Sequence, residues 1–209
     1  MRIFDDRSDA GRALAATPAI RALGAGTLVL GLPRGGVVVA AEVAEALGAP
    51  LDVLVVRKIG APGNPEYAIG AVDRDGVTVG HPEHHAPAGY VTDETDTQRG
   101  EIRRRERAYR GERDALEVAG VTVLLVDDGI ATGLTALAAF GWLRRHGASR
   151  IVAAAPVASP EAVHALRLAG AEVVVLEAPP DFRAVGQAYR RFDQTTDAEV
   201  LAALGRART

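Results

Sequence analysis

Val123-Leu124-Leu125-Val126-Asp127-Asp128-Gly129-Ile130-Ala131-Thr132-Gly133-Leu134-Thr135 runs from four apolar residues through two adjacent carboxylates into a Gly/Thr loop. Four apolar residues in a row, ended by turn formers, read as a strand buried on both faces, the kind used in parallel sheets. A helical pattern over residues 132–146 follows, so free backbone N–H groups and the positive end of a helix dipole meet at the loop. A phosphate suits that position: Gly133 lets the backbone approach closely, and the Thr132 and Thr135 hydroxyls can donate to phosphate oxygens. Adjacent carboxylates are poor neighbours for phosphate but good acceptors for a ribose diol. The spacing therefore suits a molecule with a phosphate at one end and vicinal hydroxyls beside it. The plainer alternative is an Asp-Asp-Gly turn followed by Thr132 as an ordinary N-cap.

Working outward, residues 27–32 form an apolar run that leads into Pro33-Arg34-Gly35-Gly36 and a helical pattern over 37–47. Residues 51–57 read as a second strand, ending on Arg57-Lys58. Apolar runs at 151–157 and 173–176 add two more strands, separated by a helix at 160–168. Strands alternating with helices at this spacing imply right-handed βαβ units and a parallel sheet. Around this core, residues 8–23 look helical with a break at Pro18. Residues 60–89 are rich in Gly and Pro, with hairpin arms at 67–72 and 77–79 around Arg74-Asp75-Gly76. Residues 92–117 form a long charged helix, and 181–204 a mostly helical tail with a turn near Gln194. One domain over 1–209 is expected, its core at about 27–176 and its ends, 1–26 and 177–209, forming a small cap.

The composition agrees with a packed α/β core. Apolar residues make up 48% of the 209, but aromatics only 4%, so Ala, Val, Leu and Gly fill the interior. The absence of cysteine excludes disulfides, thiolate metal sites and a cysteine nucleophile. The first residues lack the apolar stretch of a signal peptide, and the longest apolar runs are strand-sized, so a cytoplasmic protein without membrane spans is expected. A net charge of −3 gives no general attraction to nucleic acid.

Two further loops resemble anion seats. Pro33-Arg34-Gly35-Gly36 follows a strand and opens a helix, so paired glycines and a fixed positive charge suit pyrophosphate. Arg57 and Lys58, at a second strand end, would neutralise it; open parallel sheets bind ligands at that edge. A tight βα turn and a solvated basic pair are the bland alternatives. Other phosphate motifs fail. No G-x-x-x-x-G-K-[ST] occurs, and Gly24-Ala25-Gly26 precedes a strand where a dinucleotide fingerprint would follow one.

The strand, acidic pair and Thr-Gly loop in this order resemble the signature of type I phosphoribosyltransferases, which bind 5-phosphoribosyl-1-pyrophosphate (PRPP). That resemblance implies a Rossmann-like parallel sheet with a mobile loop or hairpin and a small terminal hood. It implies transfer of the 5-phosphoribosyl group from PRPP to a nitrogenous base with release of pyrophosphate. By it, Asp127 and Asp128 hold the ribose hydroxyls, and Ala131, Thr132, Gly133, Leu134 and Thr135 wrap the 5′-phosphate. Arg34, Gly35, Gly36, Arg57 and Lys58 seat the pyrophosphate, with a non-proline cis peptide expected at Arg34-Gly35. Residues 60–90 fall at the family's mobile catalytic loop, which excludes water from an oxocarbenium-like ribosyl centre. Mg²⁺ is expected to arrive with PRPP and to need few direct protein ligands. A homodimer is expected only because similar enzymes form them.

The segments 57–66 and 182–187 also resemble a bacterial group of phosphoribosyltransferases classified by fold, with the acceptor base unassigned. Ala131 stands where 6-oxopurine enzymes carry an aspartate. Residues 60–90 contain no lysine, unlike the lysine-rich loop of orotate enzymes. The acceptor stays open. The alternative function is a PRPP-sensing regulator that binds RNA or a protein partner through the arginine-rich stretch 98–114, whose plainer reading is an ion-paired surface helix. His81, His84 and His85 resemble a metal cluster, although histidines in such a loop are more often solvated.

Overall fold

The protein is described by a computed structural model over residues 1–80, 86–87, 89–113 and 116–206. The elements run α1 (Arg7–Ala15), α2 (Pro18–Arg21), β1 (Leu28–Gly31), α3 (Gly35–Leu47), β2 (Leu51–Val53), β3 (Arg57–Ala61), β4 (Asn64–Val72) and β5 (Thr78–Gly80). They continue with α4 (Tyr90–Arg110), β6 (Thr122–Val126), α5 (Leu134–Arg145), β7 (Arg150–Val157), α6 (Pro160–Leu168), β8 (Glu172–Glu177), a 3-10 turn at Val185–Ala188 and α7 (Asp197–Arg206). Five strands form an all-parallel sheet in the order β2-β1-β6-β7-β8. β3, β4 and β5 form a separate antiparallel sheet.

Alternation along each parallel strand separates two apolar layers. Val29, Leu124, Val126, Val152 and Ala154 pack with α1, α3 and α7. Leu30, Val123, Leu125, Ile151 and Ala153 point the other way, into α5 and α6. Because both faces are covered, the strands are apolar almost throughout, as a buried parallel sheet requires. No helix among the described residues is long and apolar enough to cross a membrane.

Several elements differ from the expectations. Residues 51–57 are not one strand: β2 ends at Val53, and Arg57 begins β3 in the other sheet. The apolar run is continuous because Leu54, Val55 and Val56 are buried between the layers, with Leu54 and Val56 facing α5 and Val55 facing α3. Residues 57–80 build a three-stranded sheet, in which β3 joins the expected hairpin. Its β4–β5 turn sits where expected, pinned by the buried Asp73 carboxylate, which accepts from Asp75 N and Val77 N at 3.0 Å each. Pro18 divides the first helical stretch: Thr17 caps α2 and Pro18 is its first residue, where a missing N–H costs nothing. The tail is helical only over α7 and the short 3-10 turn. His81, His84 and His85 lie outside the described residues.

α4 is held by its charges. Arg110 Nε donates to both Asp52 oxygens at 3.1 and 3.2 Å, and Arg113 adds a contact at 3.4 Å. Glu101 accepts from Arg104 and Arg105 at 2.7 Å each, and these pairs hold its carboxyl down at about 2. Much of the arginine-rich stretch is thus tied to acids on α4 itself and on β2.

Candidate functional site

The order β2-β1-β6 makes β1 and β6 the switch point of the sheet: the chain leaves β1 toward one edge and β6 toward the other. In such sheets a crevice opens beyond the carboxyl ends of those two strands. Two of the loops singled out in the sequence meet there. Leu32 N donates to Val126 O at 2.9 Å, which carries the β1–β6 pairing to the mouth of both loops.

From that point Pro33-Arg34-Gly35-Gly36 turns into α3, directly against Asp127 and Asp128. A Cβ on Gly36 would lie 2.8 Å from Asp127 Cα and from Val126 O. A Cβ on Gly35 would overlap the Asp128 carboxylate and stand 2.6 Å from Arg7 Nε. The two glycines are therefore required by close approach. The cis peptide in this loop joins Pro33 to Arg34, one bond before the expected Arg34-Gly35.

The second loop is anchored from behind. Asp127 N donates to Ala154 O at 3.1 Å, and Ile130 N to Val157 O at 2.9 Å. Ser159, the N-cap of α6, donates its hydroxyl to Ala131 O at 2.7 Å. Gly133 takes φ 77° at the N-cap of α5, so Leu134 and the residues after it present first-turn N–H groups that lack intrahelical acceptors. Thr132 is exposed, Thr135 half-buried, and Gly133 and Leu134 are buried beneath them.

Asp127 and Asp128 differ electrostatically. Burial, and then the neighbouring Asp128 charge, push the Asp127 carboxyl well above the usual carboxylate range; Lys58 pulls weakly the other way. Asp128 N donates to Asp127 Oδ1 at 2.8 Å. Asp128 itself has a countercharge: Arg7 Nε donates to its Oδ2 at 2.7 Å. Its backbone carbonyl accepts from the Tyr189 hydroxyl at 2.5 Å.

Arg57 and Lys58 approach from β3 and not from a strand of the main sheet. Lys58 is exposed, and its charge is felt at Asp127. Arg57 donates to Gln98 Oε1 at 2.9 Å. Burial, with the nearby charges of Arg105 and Arg34, lowers its affinity for its proton. Arg34 reaches Asp197, at the start of α7, at 3.8 Å, and the same carboxylate accepts from the Tyr109 hydroxyl at 2.6 Å. Burial and that bond push the Tyr109 phenol up to about 12. Arg34, Arg57 and Arg105 thus share one electrostatic neighbourhood, and Lys58 is the cation of β3 whose charge reaches Asp127. Arg7, Tyr189 and Asp197 join these contacts without any signal in the sequence. Nothing local distinguishes Arg7 from other arginines, and its partners lie more than a hundred residues away.

Relatives give this arrangement a family. The model of the phosphoribosyl transferase domain matches residues 20–174. A Mycobacterium tuberculosis H37Rv protein named "Putative phosphoribosyl transferase" is 48% identical over 99% of this chain, as is its counterpart in strain CDC 1551. The alignment covers 47% of each, so the chain spans about half the length of the curated relatives it matches. The crystal structure of TT1426 from Thermus thermophilus is 50% identical, covers 98% of both chains and superposes with a TM-score of 0.79. On these grounds the chain belongs to the phosphoribosyl transferase domain family.

Proposed function

We propose that this domain binds PRPP at the β1/β6 switch point and transfers its 5-phosphoribosyl group to a nitrogenous acceptor, releasing pyrophosphate. The observation that carries this reading is the packing of Gly35 and Gly36 onto Asp127 and Asp128, which sets an anion loop against a diol-binding pair. Asp127 and Asp128 receive the ribose hydroxyls. Ala131, Thr132, Gly133, Leu134 and Thr135 surround the 5′-phosphate through backbone N–H groups and hydroxyls at the start of α5. Gly35 and Gly36 admit the pyrophosphate, and Arg34, Arg57 and Lys58 supply its countercharge. Residues 1–26 and 177–209 close the site as a cap.

In the reaction the bond from ribose C1′ to the pyrophosphate oxygen breaks, and a bond from C1′ to the acceptor nitrogen forms. The acceptor releases a proton, and pyrophosphate leaves with the bonding electrons. Positive charge develops on the ribose ring and negative charge on the leaving group. Catalysis thus rests on positioning and on fixed charges, without a protein nucleophile. The donor set fits Mg²⁺ that arrives with its oxygens. Among the described residues no group of three or more acids or histidines forms a cage, Asp128 is drawn to Arg7, and burial favours a proton on Asp127. When bound, the ion would neutralise pyrophosphate charge, and its protein contacts would fall to Asp127 and Asp128.

Calorimetric titration of PRPP with Mg²⁺ tests the reading, using wild type and the Asp127→Asn/Asp128→Asn double variant. Binding by wild type that is lost in a folded double variant supports it, and pyrophosphate release across a panel of bases then identifies the acceptor. A folded wild type that binds no PRPP rejects it.

A further inference from the structure

The reaction set out above assigns Arg7 no part, yet its guanidinium is fixed on three sides. Its Nε donates to Asp128 Oδ2 at 2.7 Å, with the two side chains only 13% and 15% exposed. Its Nη1 donates to Asp193 O at 2.8 Å. Its central carbon lies 4.1 Å from the centroid of the Phe192 ring, and Phe192 stacks on Tyr189 at 5.0 Å. Tyr189 returns to the same acid, through the Asp128 carbonyl. A closed ring of contacts therefore runs from Arg7 to Asp128, Tyr189, Phe192 and back to Arg7. Gly35 lies against the ring, because only a residue without a Cβ clears both Arg7 and Asp128.

We propose that Arg7 is a positioning residue: it fixes the Asp128 carboxylate for the ribose hydroxyls and ties segment 185–193 to the site. The proposal rests on the PRPP reading above. A carboxylate offers about four acceptor positions, and Arg7 Nε takes one, leaving enough for a diol. The carboxylate bond is charge-assisted, and the ring stack needs a flat cation. Lysine cannot supply both at once, so a retained charge alone does not replace arginine here.

The test titrates PRPP with Mg²⁺ into wild type, Arg7→Met, Arg7→Lys and Arg7→Ala, the last with and without millimolar guanidinium, with a melting curve for each. Loss of a hydrogen bond to a charged group predicts weaker binding by Arg7→Met and Arg7→Lys, by roughly ten- to a hundredfold. Guanidinium is expected to restore binding in Arg7→Ala and to leave wild type unchanged. A merely structural role would not respond to the added cation. Folded Arg7→Lys or Arg7→Met that binds like wild type overturns the proposal while the PRPP reading stands. Should Arg7→Met fail to fold, Arg7→Lys and the guanidinium response decide the matter. No binding by folded wild type removes the PRPP reading, and the role of Arg7 with it.

Discussion

Replacing Gly35 with alanine strikes the contact between Arg7 and Asp128. The added methyl would overlap the Asp128 carboxylate and stand 2.6 Å from Arg7 Nε. Both obstacles are ends of flexible side chains, so they can rotate away, but only by giving up the 2.7 Å contact between them. A hydrogen bond between charged groups contributes about 1.5–3 kcal/mol, and partial solvation here favours the lower part, about 1.5–2 kcal/mol. If ribose binding requires that arrangement, PRPP affinity falls by roughly ten- to thirtyfold. Stability falls by a similar amount, because the folded protein loses the same contact. Mild crowding costs about 1 kcal/mol, and alanine gains about 1 kcal/mol of helix propensity in the first turn of α3. These two cancel and the lost contact remains, so the melting temperature should fall by roughly 3–8 °C.

Gly36→Ala is the control. Its methyl meets Asp127 Cα and Val126 O, both backbone, at 2.8 Å. These cannot rotate aside, so about 3 kcal/mol of overpacking, offset by about 1 kcal/mol of the same helix propensity, gives a drop of roughly 4–8 °C. Calorimetry and scanning calorimetry on the two variants give the comparison. The reasoning fails if Gly35→Ala binds PRPP within threefold of wild type.

Other expectations can be checked with the same preparations. Ser159→Ala removes both the α6 cap, at 3.0 Å to Ala162 N, and the bond to Ala131 O, so stability should fall by about 1–2 kcal/mol in urea unfolding. The lone lysine of the sequence, Lys58, is exposed beside Asp127, so PRPP with Mg²⁺ should slow its modification by an amine reagent, followed by peptide mass spectrometry. Equal rates with and without PRPP would remove Lys58 from the site. Asp127 gives a pH signature. Its folded carboxyl keeps a proton to higher pH than an unfolded aspartate at about 3.9, so between those values the folded state binds more protons and stability falls as pH rises. Asp127→Asn should therefore gain stability relative to wild type with rising pH and lose that advantage toward pH 4. Denaturation at pH 4, 6 and 8 shows whether the two curves diverge in that direction.

The parallel sheet was legible because its signals are local. Residues 123–126 and 151–157 are short apolar runs, and the acids at 127 and 128 follow the first at a fixed offset. The Gly35-Gly36 pair was legible for the same reason, since close approach leaves a gap in side chains that the sequence records directly. Residues 54–56 misled because burial between layers selects the same apolar residues as a strand does, and composition cannot tell which applies. The pairings that tie the two ends to the site were illegible for another reason. Arg7 and Asp128 are 121 positions apart and Tyr189 and Asp128 are 61 apart, and pairings over such distances leave no periodic trace. Asp6 and Asp9, which flank Arg7, explain the start of α1 but not the direction of the arginine.

The pairing of Phe4 with Tyr189 has a consequence for how the molecule comes into being. Phe4 N donates to Ala188 O at 2.8 Å, and Arg190 N donates back to Phe4 O at 2.9 Å. During synthesis β1, α3 and β6 can all be complete while residues 185–193 are still unmade. The nascent sheet then carries its two adjacent acids without the Tyr189 hydroxyl and without the Asp193 and Phe192 grip on Arg7. Contacts of such long sequence separation form late, because loop closure precedes any gain from them. A released chain that ends before Tyr189 therefore has every strand of the parallel sheet but an unfinished pocket, and ligand binding should require those last contacts.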